Sequence, residues 1–154
     1  MGLSHVDESG LPRMVDVGHK AVTQRMATAQ ASVWLPPAVF DQLAAQQFNS
    51  AKGSVITTAI VAGTSAVKRT SDLIPFCHPL MIESCDFVVT PNRPYLVIQC
   101  RVGIAHKTGV EMEALTGASV AALTIYDMCK ALSADIRIEA VHLLEKRGGK
   151  HDVG

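Results

Sequence analysis

The chain has no CxxC pair, no excess of either charge and no long apolar run, and each absence removes a class of function. Its four cysteines stand at 77, 85, 100 and 129, without the two close ligand pairs of a zinc ribbon or finger. Cys85 and Cys100 fall in strand-like runs and read as small core residues carrying reduced thiols. Fourteen basic and fourteen acidic residues cancel, whereas nucleic-acid binders usually carry a basic excess for phosphate neutralisation. Any anion site must therefore be local. No stretch of about 18 apolar residues is available to cross a membrane, and the opening MGLSHVDESGLPR has no hydrophobic signal region. The expectation is a soluble, cytoplasmic protein with no nucleic-acid and no membrane partner. Aromatics are scarce at 5%. Alanine and other small residues take their place, and these let backbones pack closely, including against copies of the same chain.

What is present suits one ordinary domain: 154 residues, 48% apolar and 18% charged. Residues 1–13 read as a flexible N-terminus, 14–146 as a single α+β domain and 147–154 as a flexible, basic C-terminal tail. From Val15 to Leu35 the chain is rich in Thr, Val and Ala, which predicts one or two strands. PPAVFDQLAAQQF begins with prolines and continues with helix formers, predicting a short helix. In KGSVITTAIVAGTSAVKRTSDL, Ile56, Ala59, Ile60, Gly63 and Val67 recur at helical steps behind Ser54, a suitable N-cap. IESCDFVVT and YLVIQCRVGI flank a PNRP turn. In the second run Leu96, Ile98, Cys100, Val102 and Ile104 alternate strictly, so the pair predicts a hairpin. GVEMEALTGASVAALTIYDMCKAL predicts a second long helix. DIRIEAVHLLEK predicts a closing strand whose alternation slips near Val141, as at a bulge. The order β, α, α, β, β, α, β is that of a ferredoxin-like split βαβ fold, an antiparallel sheet with helices on one face.

Several residue groups invite chemistry. Lys52 stands just before a helix N-terminus, where free N–H groups and the dipole favour an anion; an exposed loop lysine is the plainer account. Lys68 and Arg69 near the end of the same helix suit a solvated, dipole-favoured terminus. Asp127 and Lys130 share a helical face. A carboxylate there can orient a lysine for acid–base work, or the two can form a weak surface pair. Their apolar and aromatic neighbours Ile125, Tyr126 and Met128 predict partial burial. Glu111 and Glu113 fall near a helix start, as solvated, dipole-favoured carboxylates or as ligands for the paired donors of a guanine-like ring. One straight helix from 113 to 127 would separate Glu113 and Asp127 by about 21 Å. Either Glu113 precedes the helix or a site joins different subunits. In LIPFCHPL, Cys77 and His78 lie between prolines that hold the backbone extended. Adjacent residues rarely serve one tetrahedral metal together, and nothing local orients the histidine as a nucleophile's base. A structural turn or a substrate-binding turn remains.

Together, KGSV…AGTSAVKRTSDLIPFCHPL, KTGVEMEALTGASVAALTIYDMCKA and LLEKRGGK resemble the cyclic pyranopterin monophosphate synthase family, the molybdenum cofactor biosynthesis protein C family. MVDVGHKAVTQRMATA resembles its N-terminal segment, so the likeness runs from about Met14 to Lys150. The resemblance implies a pyrophosphate-releasing lyase. It would convert (8S)-3',8-cyclo-7,8-dihydroguanosine 5'-triphosphate to cyclic pyranopterin monophosphate. It further implies a ferredoxin-like fold, a homohexamer built as a trimer of dimers and sites at subunit interfaces. No ligand constellation or carboxylate cluster in the sequence calls for a metal, so the expectation is no required cofactor and no protein metal site, with magnesium allowed beside the pyrophosphate. By position the resemblance assigns Asp127, Lys52 and Lys130 to catalysis. Phe76, Cys77, His78, Met112 and Glu113, with Glu111, fall on substrate-binding segments. Arg25, Lys20, Lys68, Lys146 and Lys150 match basic positions around the phosphates. Gly18 and Ser54 stand where the family usually has serine and aspartate, Thr64 and Val67 where isoleucine and alanine are common, and GGKHDVG replaces the usual GGKSG. A nucleotide-binding regulatory module and an inactive assembly partner are the rival readings, and measured turnover separates them from an enzyme. An RNA-binding domain of the same fold would need exposed sheet aromatics and a basic face, which the chain lacks.

Overall fold

The computed structural model describes residues 4–154. Its sheet begins with β1 (Thr23–Trp34), a single strand where one or two were expected. Residues 15–22 lie outside any strand and run toward the cleft described below. Helix α1 (Pro37–Ala45) follows, with proline in its first turn. A small hairpin, β2 (Asn49–Ser50) and β3 (Gly53–Ser54), then leads into α2 (Val55–Lys68) and the short α3 (Thr70–Leu73). The predicted hairpin is β4 (Ser84–Asn92) and β5 (Tyr95–His106), and the chain closes with α4 (Glu111–Cys129) and β6 (Arg137–Arg147).

The main strands order as β4-β5-β1-β6, all pairs antiparallel. That is the split βαβ arrangement. α4 lies across β1, β5 and β6, and α2 packs beside it over β4. The strict alternation in β5 buries Leu96, Ile98, Cys100, Val102 and Ile104 beneath these helices. Ala27, Ala29, Ala31 and Val33 of β1 continue the same layer. Their small side chains let alanine-rich α4 settle close to the sheet.

The core stripe of α2 differs slightly from the expected one. Val55, Ala59, Gly63, Ala66 and Val67 are buried, while Ile56 and Ile60 are only half-buried at its flank. The helices meet at glycine: a Cβ on Gly63 would lie 2.5 Å from Phe87 and 3.0 Å from the Gly117 carbonyl. Ser54 caps α2 by accepting a hydrogen bond from the Thr57 amide at 3.2 Å. The slip near Val141 is a register shift of β6 against β1, with Ala140 at φ 51°. The other face of the sheet carries polar pairs, among them Gln99–Gln30 at 3.0 Å and Thr28–Glu145 at 3.0 Å.

Candidate active site

Two groups of side chains stand at opposite ends of α4, and they hold every candidate residue except Lys68 and Arg69. The larger group lines a cleft of about 850 Å³ where α4 begins. Three parts of the chain converge there. The turn after α3 brings Phe76, Cys77 and His78; the first turn of α4 brings Glu111, Met112 and Glu113; β1, β6 and their flanking segments bring Lys20, Arg25, Lys146 and Lys150. Lys68 lies exposed in the last turn of α2 and does not line this cleft.

Each side chain is placed by local structure. Arg25 extends the core-facing row of β1 beyond Ala27. Its Nη2 donates to the Lys107 carbonyl at 3.2 Å, while its Nε is buried without a partner among the described residues. A half-buried guanidinium with an unmet donor suits an anion. The Nε2 of His78 lies 2.7 Å from the Val15 carbonyl. A carbonyl only accepts, so this nitrogen carries the proton and Nδ1 is left to meet a ligand. Gly148 has φ +89°, and a Cβ there would collide with the Gln24 carbonyl. Glycine therefore allows the tail to pass beside β1, where Thr23 donates to the Gly148 carbonyl at 2.8 Å. The tail turns back so that Lys146 and Val153 exchange backbone hydrogen bonds of 2.8 and 3.0 Å.

The two helix-start glutamates differ in environment. Glu111 pairs with Lys146. Glu113 lies within α4, so it does not precede the helix, and only 4% of it is exposed. Burial pushes its carboxyl up to about 7, with the negative charge of Glu111 adding to the rise. Burial also raises the Cys77 thiol, helped by Glu113 and Glu111. A thiol so held is a poor nucleophile.

The second group joins α4's other end to the β2–β3 turn. Lys130 donates to Asp127 Oδ1 at 2.7 Å. Lys52 reaches both the Asp127 carbonyl at 3.3 Å and Oδ2 at 3.6 Å. The hydrogen bond and charge of Lys130, followed by the charge of Lys52, hold the Asp127 carboxyl below its usual range. Asp127 in turn raises Lys130, first by the hydrogen bond and then by charge. The predicted partial burial is absent: Asp127 and Lys130 are 58% and 56% exposed. Ile125 and Met128 turn into the core, and Asp127, between them in sequence, points away from it.

The cleft adds His5, His19, Thr108 and His151 to the candidates. No spacing pattern marks these residues. For His19 and His151 the available signal was adjacency to Lys20 and Lys150.

Comparison with known proteins follows the same segments. The chain is 59% identical over 153 residues to a cyclic pyranopterin monophosphate synthase of Xanthomonas campestris pv. campestris, covering 99% of this chain and 93% of that protein. It is 56% identical over 155 residues to a molybdenum cofactor biosynthesis bifunctional protein of Synechocystis sp., covering 97% and 45% respectively. With molybdenum cofactor biosynthesis protein 1 of Dictyostelium discoideum it shares 48% identity over 165 residues, covering 96% and 26%. The match to the MoaC family spans residues 14–149, taking in both ends of α4 and the sheet beneath it, and the chain belongs to that family.

Proposed function

We infer that the chain is a pyrophosphate-releasing lyase of molybdenum cofactor biosynthesis. It converts (8S)-3',8-cyclo-7,8-dihydroguanosine 5'-triphosphate to cyclic pyranopterin monophosphate and pyrophosphate. One observation carries this reading: a chain 59% identical to a cyclic pyranopterin monophosphate synthase holds both a cation-lined cleft and a Lys52–Asp127–Lys130 cluster.

The reaction must open the guanine-derived five-membered ring, build the pyrazine ring and drive internal attack on the α-phosphate. These are proton transfers and a phosphate displacement, with no change of redox state. In the proposed site Lys20, Arg25, Lys146 and Lys150 hold the phosphates. Phe76, Cys77, His78, Met112 and Glu113 hold the ring system, with Nδ1 of His78 as the ring-facing nitrogen. Lys52 and Lys130 move protons under the orientation of Asp127. The scheme calls on no cofactor, and magnesium is the one ion the pyrophosphate would bring.

Glu113 and Asp127 are separated by 14 helical residues, about 21 Å along α4. The proposed complete site therefore takes its cleft from one subunit and its Lys52–Asp127–Lys130 cluster from another, in a homohexamer built as a trimer of dimers. Lys68, outside the cleft of its own chain, contributes in this scheme only across such an interface. The proposed compartment is the cytoplasm; no helix among the described residues is long and apolar enough to cross a membrane. Incubation with the cyclised nucleotide should yield the pterin product and pyrophosphate together. Folded, assembled protein that yields neither rejects the assignment.

A further inference from the structure

Glu113 is a buried carboxyl in a cleft where Lys146 and Arg25 have other partners. It occupies the first turn of α4, 4% exposed, beside buried Ala114 and Thr116. Among the described residues no other side chain forms an ion pair or hydrogen bond with it; its own backbone amide donates to it, which offsets part of the cost of burial. On its own helix Glu111 has taken Lys146. From β1, Arg25 is directed to the Lys107 carbonyl. From the turn after α3, Cys77 offers a thiol kept protonated, and Nε2 of His78 is committed to Val15. Lys20 and Lys150, with His5, His19 and His151, reach the cleft from the segments flanking the sheet. An unpaired carboxylate in such a place is costly, and the group lowers that cost by holding a proton.

A guanine-derived ring changes this balance, because its amide N–H and exocyclic amine are two adjacent donors. A carboxylate accepts both, whereas a carboxylic acid would set its own O–H against one of them. Hydrogen bonds to the charged form favour the charged form. Resting on the function proposed above, we propose that Glu113 stands as a neutral acid in the empty cleft and surrenders its proton to solvent when the ring binds. Substrate recognition is thereby coupled to release of one proton per site. Glu111 acts as a positioning residue: it occupies Lys146 and so keeps that cation from ionising Glu113 early. The rise of the Glu113 carboxyl to about 7 agrees with this arrangement.

The test is calorimetric binding of guanosine 5'-triphosphate, a ligand with the same donor edge, in buffers of differing ionisation enthalpy. For a group near 7, the wild-type protein should release about 0.9 proton per site more than Glu113→Gln at pH 6 and about 0.1 more at pH 8. Glu113→Gln should keep only the release that the terminal phosphate makes on meeting the cleft's cations. Glu111→Gln removes a neighbouring negative charge and leaves Lys146 available, so its release should move to lower pH; this arm stands even if Glu113→Gln fails to fold. Inosine 5'-triphosphate, lacking the amine, should bind more weakly and release less. Equal release at pH 6 and pH 8, undiminished release from folded Glu113→Gln, or no binding of guanosine triphosphate at millimolar concentration would overturn the proposal. Turnover of the cyclised nucleotide by the same preparation reports separately on the enzyme assignment. Active enzyme without proton release defeats this inference alone.

Discussion

Asp127 has Lys130 at 2.7 Å and Lys52 at 3.6 Å, yet all three side chains are more than half exposed. Such contacts add little to stability, so substitution there tests chemistry rather than folding. Asp127→Asn and Lys130→Ala should each lower turnover at least about 100-fold. Their denaturation midpoints should stay close to wild type. Near-normal product formation by either variant would remove that residue from catalysis. Glu113 predicts the converse pattern. Its carboxyl is raised from 4.5 to about 7 on folding, so between those values the folded chain binds a proton that the unfolded chain has lost. Stability should fall as pH rises through this window. Glu113→Gln should flatten that fall, gaining up to about 3 kcal/mol over wild type at pH 8 relative to pH 5. Urea unfolding at the two values measures it, and parallel curves for the two proteins would refute it.

Among the elements, α2 and α4 depend on features that differ in how readily a sequence displays them. The Ser54 cap is local, one residue before an apolar repeat, and needs no knowledge of the rest of the fold. Ser54→Ala should cost about 1 kcal/mol in unfolding free energy. The α2–α4 contact depends on position in space. A Cβ on Gly117 would lie 2.5 Å from Val67 and 2.8 Å from the Cys100 sulfur. Gly117→Ala should therefore destabilise by about 1–3 kcal/mol through overpacking, despite alanine's higher helix propensity. A stabilised variant would show that the helices can move apart at little cost. The same contrast explains Ile56 and Ile60. Their spacing fits a helical stripe, but the neighbouring Val55–Ala59–Gly63 row meets α4, and only the packed partner selects which row is central.

For the whole molecule, the length of α4 sets the question of assembly. If one subunit supplies the cleft and another the Lys52–Asp127–Lys130 cluster, two inactive variants should complement each other. Lys130→Ala and His78→Ala, dissociated, mixed equally and reassembled, should recover about a quarter of wild-type activity, since half of each contribution is intact. Confirmed subunit exchange with no recovered activity would place Lys130 and His78 in the same chain's site. Full activity from a stable monomer would reject a shared site altogether.

The sequence by itself determined the antiparallel sheet with its helices, the Ser54 cap, the bulge near Val141 and the family to which the chain belongs. These rest on local periodicity, turn chemistry and contiguous motifs, which are written along the chain. The tertiary structure alone decided that Glu111 takes Lys146 while Glu113 is buried, that Asp127 and Lys130 are exposed, and that His19 and His151 share the cleft. It also divided the candidate residues between the two ends of one helix. A residue's burial and charge partners come from segments far away in sequence. Lys146 meets Glu111 only because β6 and α4 are brought together by the fold. Periodicity can show which face of an element is apolar, but not which neighbour will meet it or which carboxyl will be left without a cation.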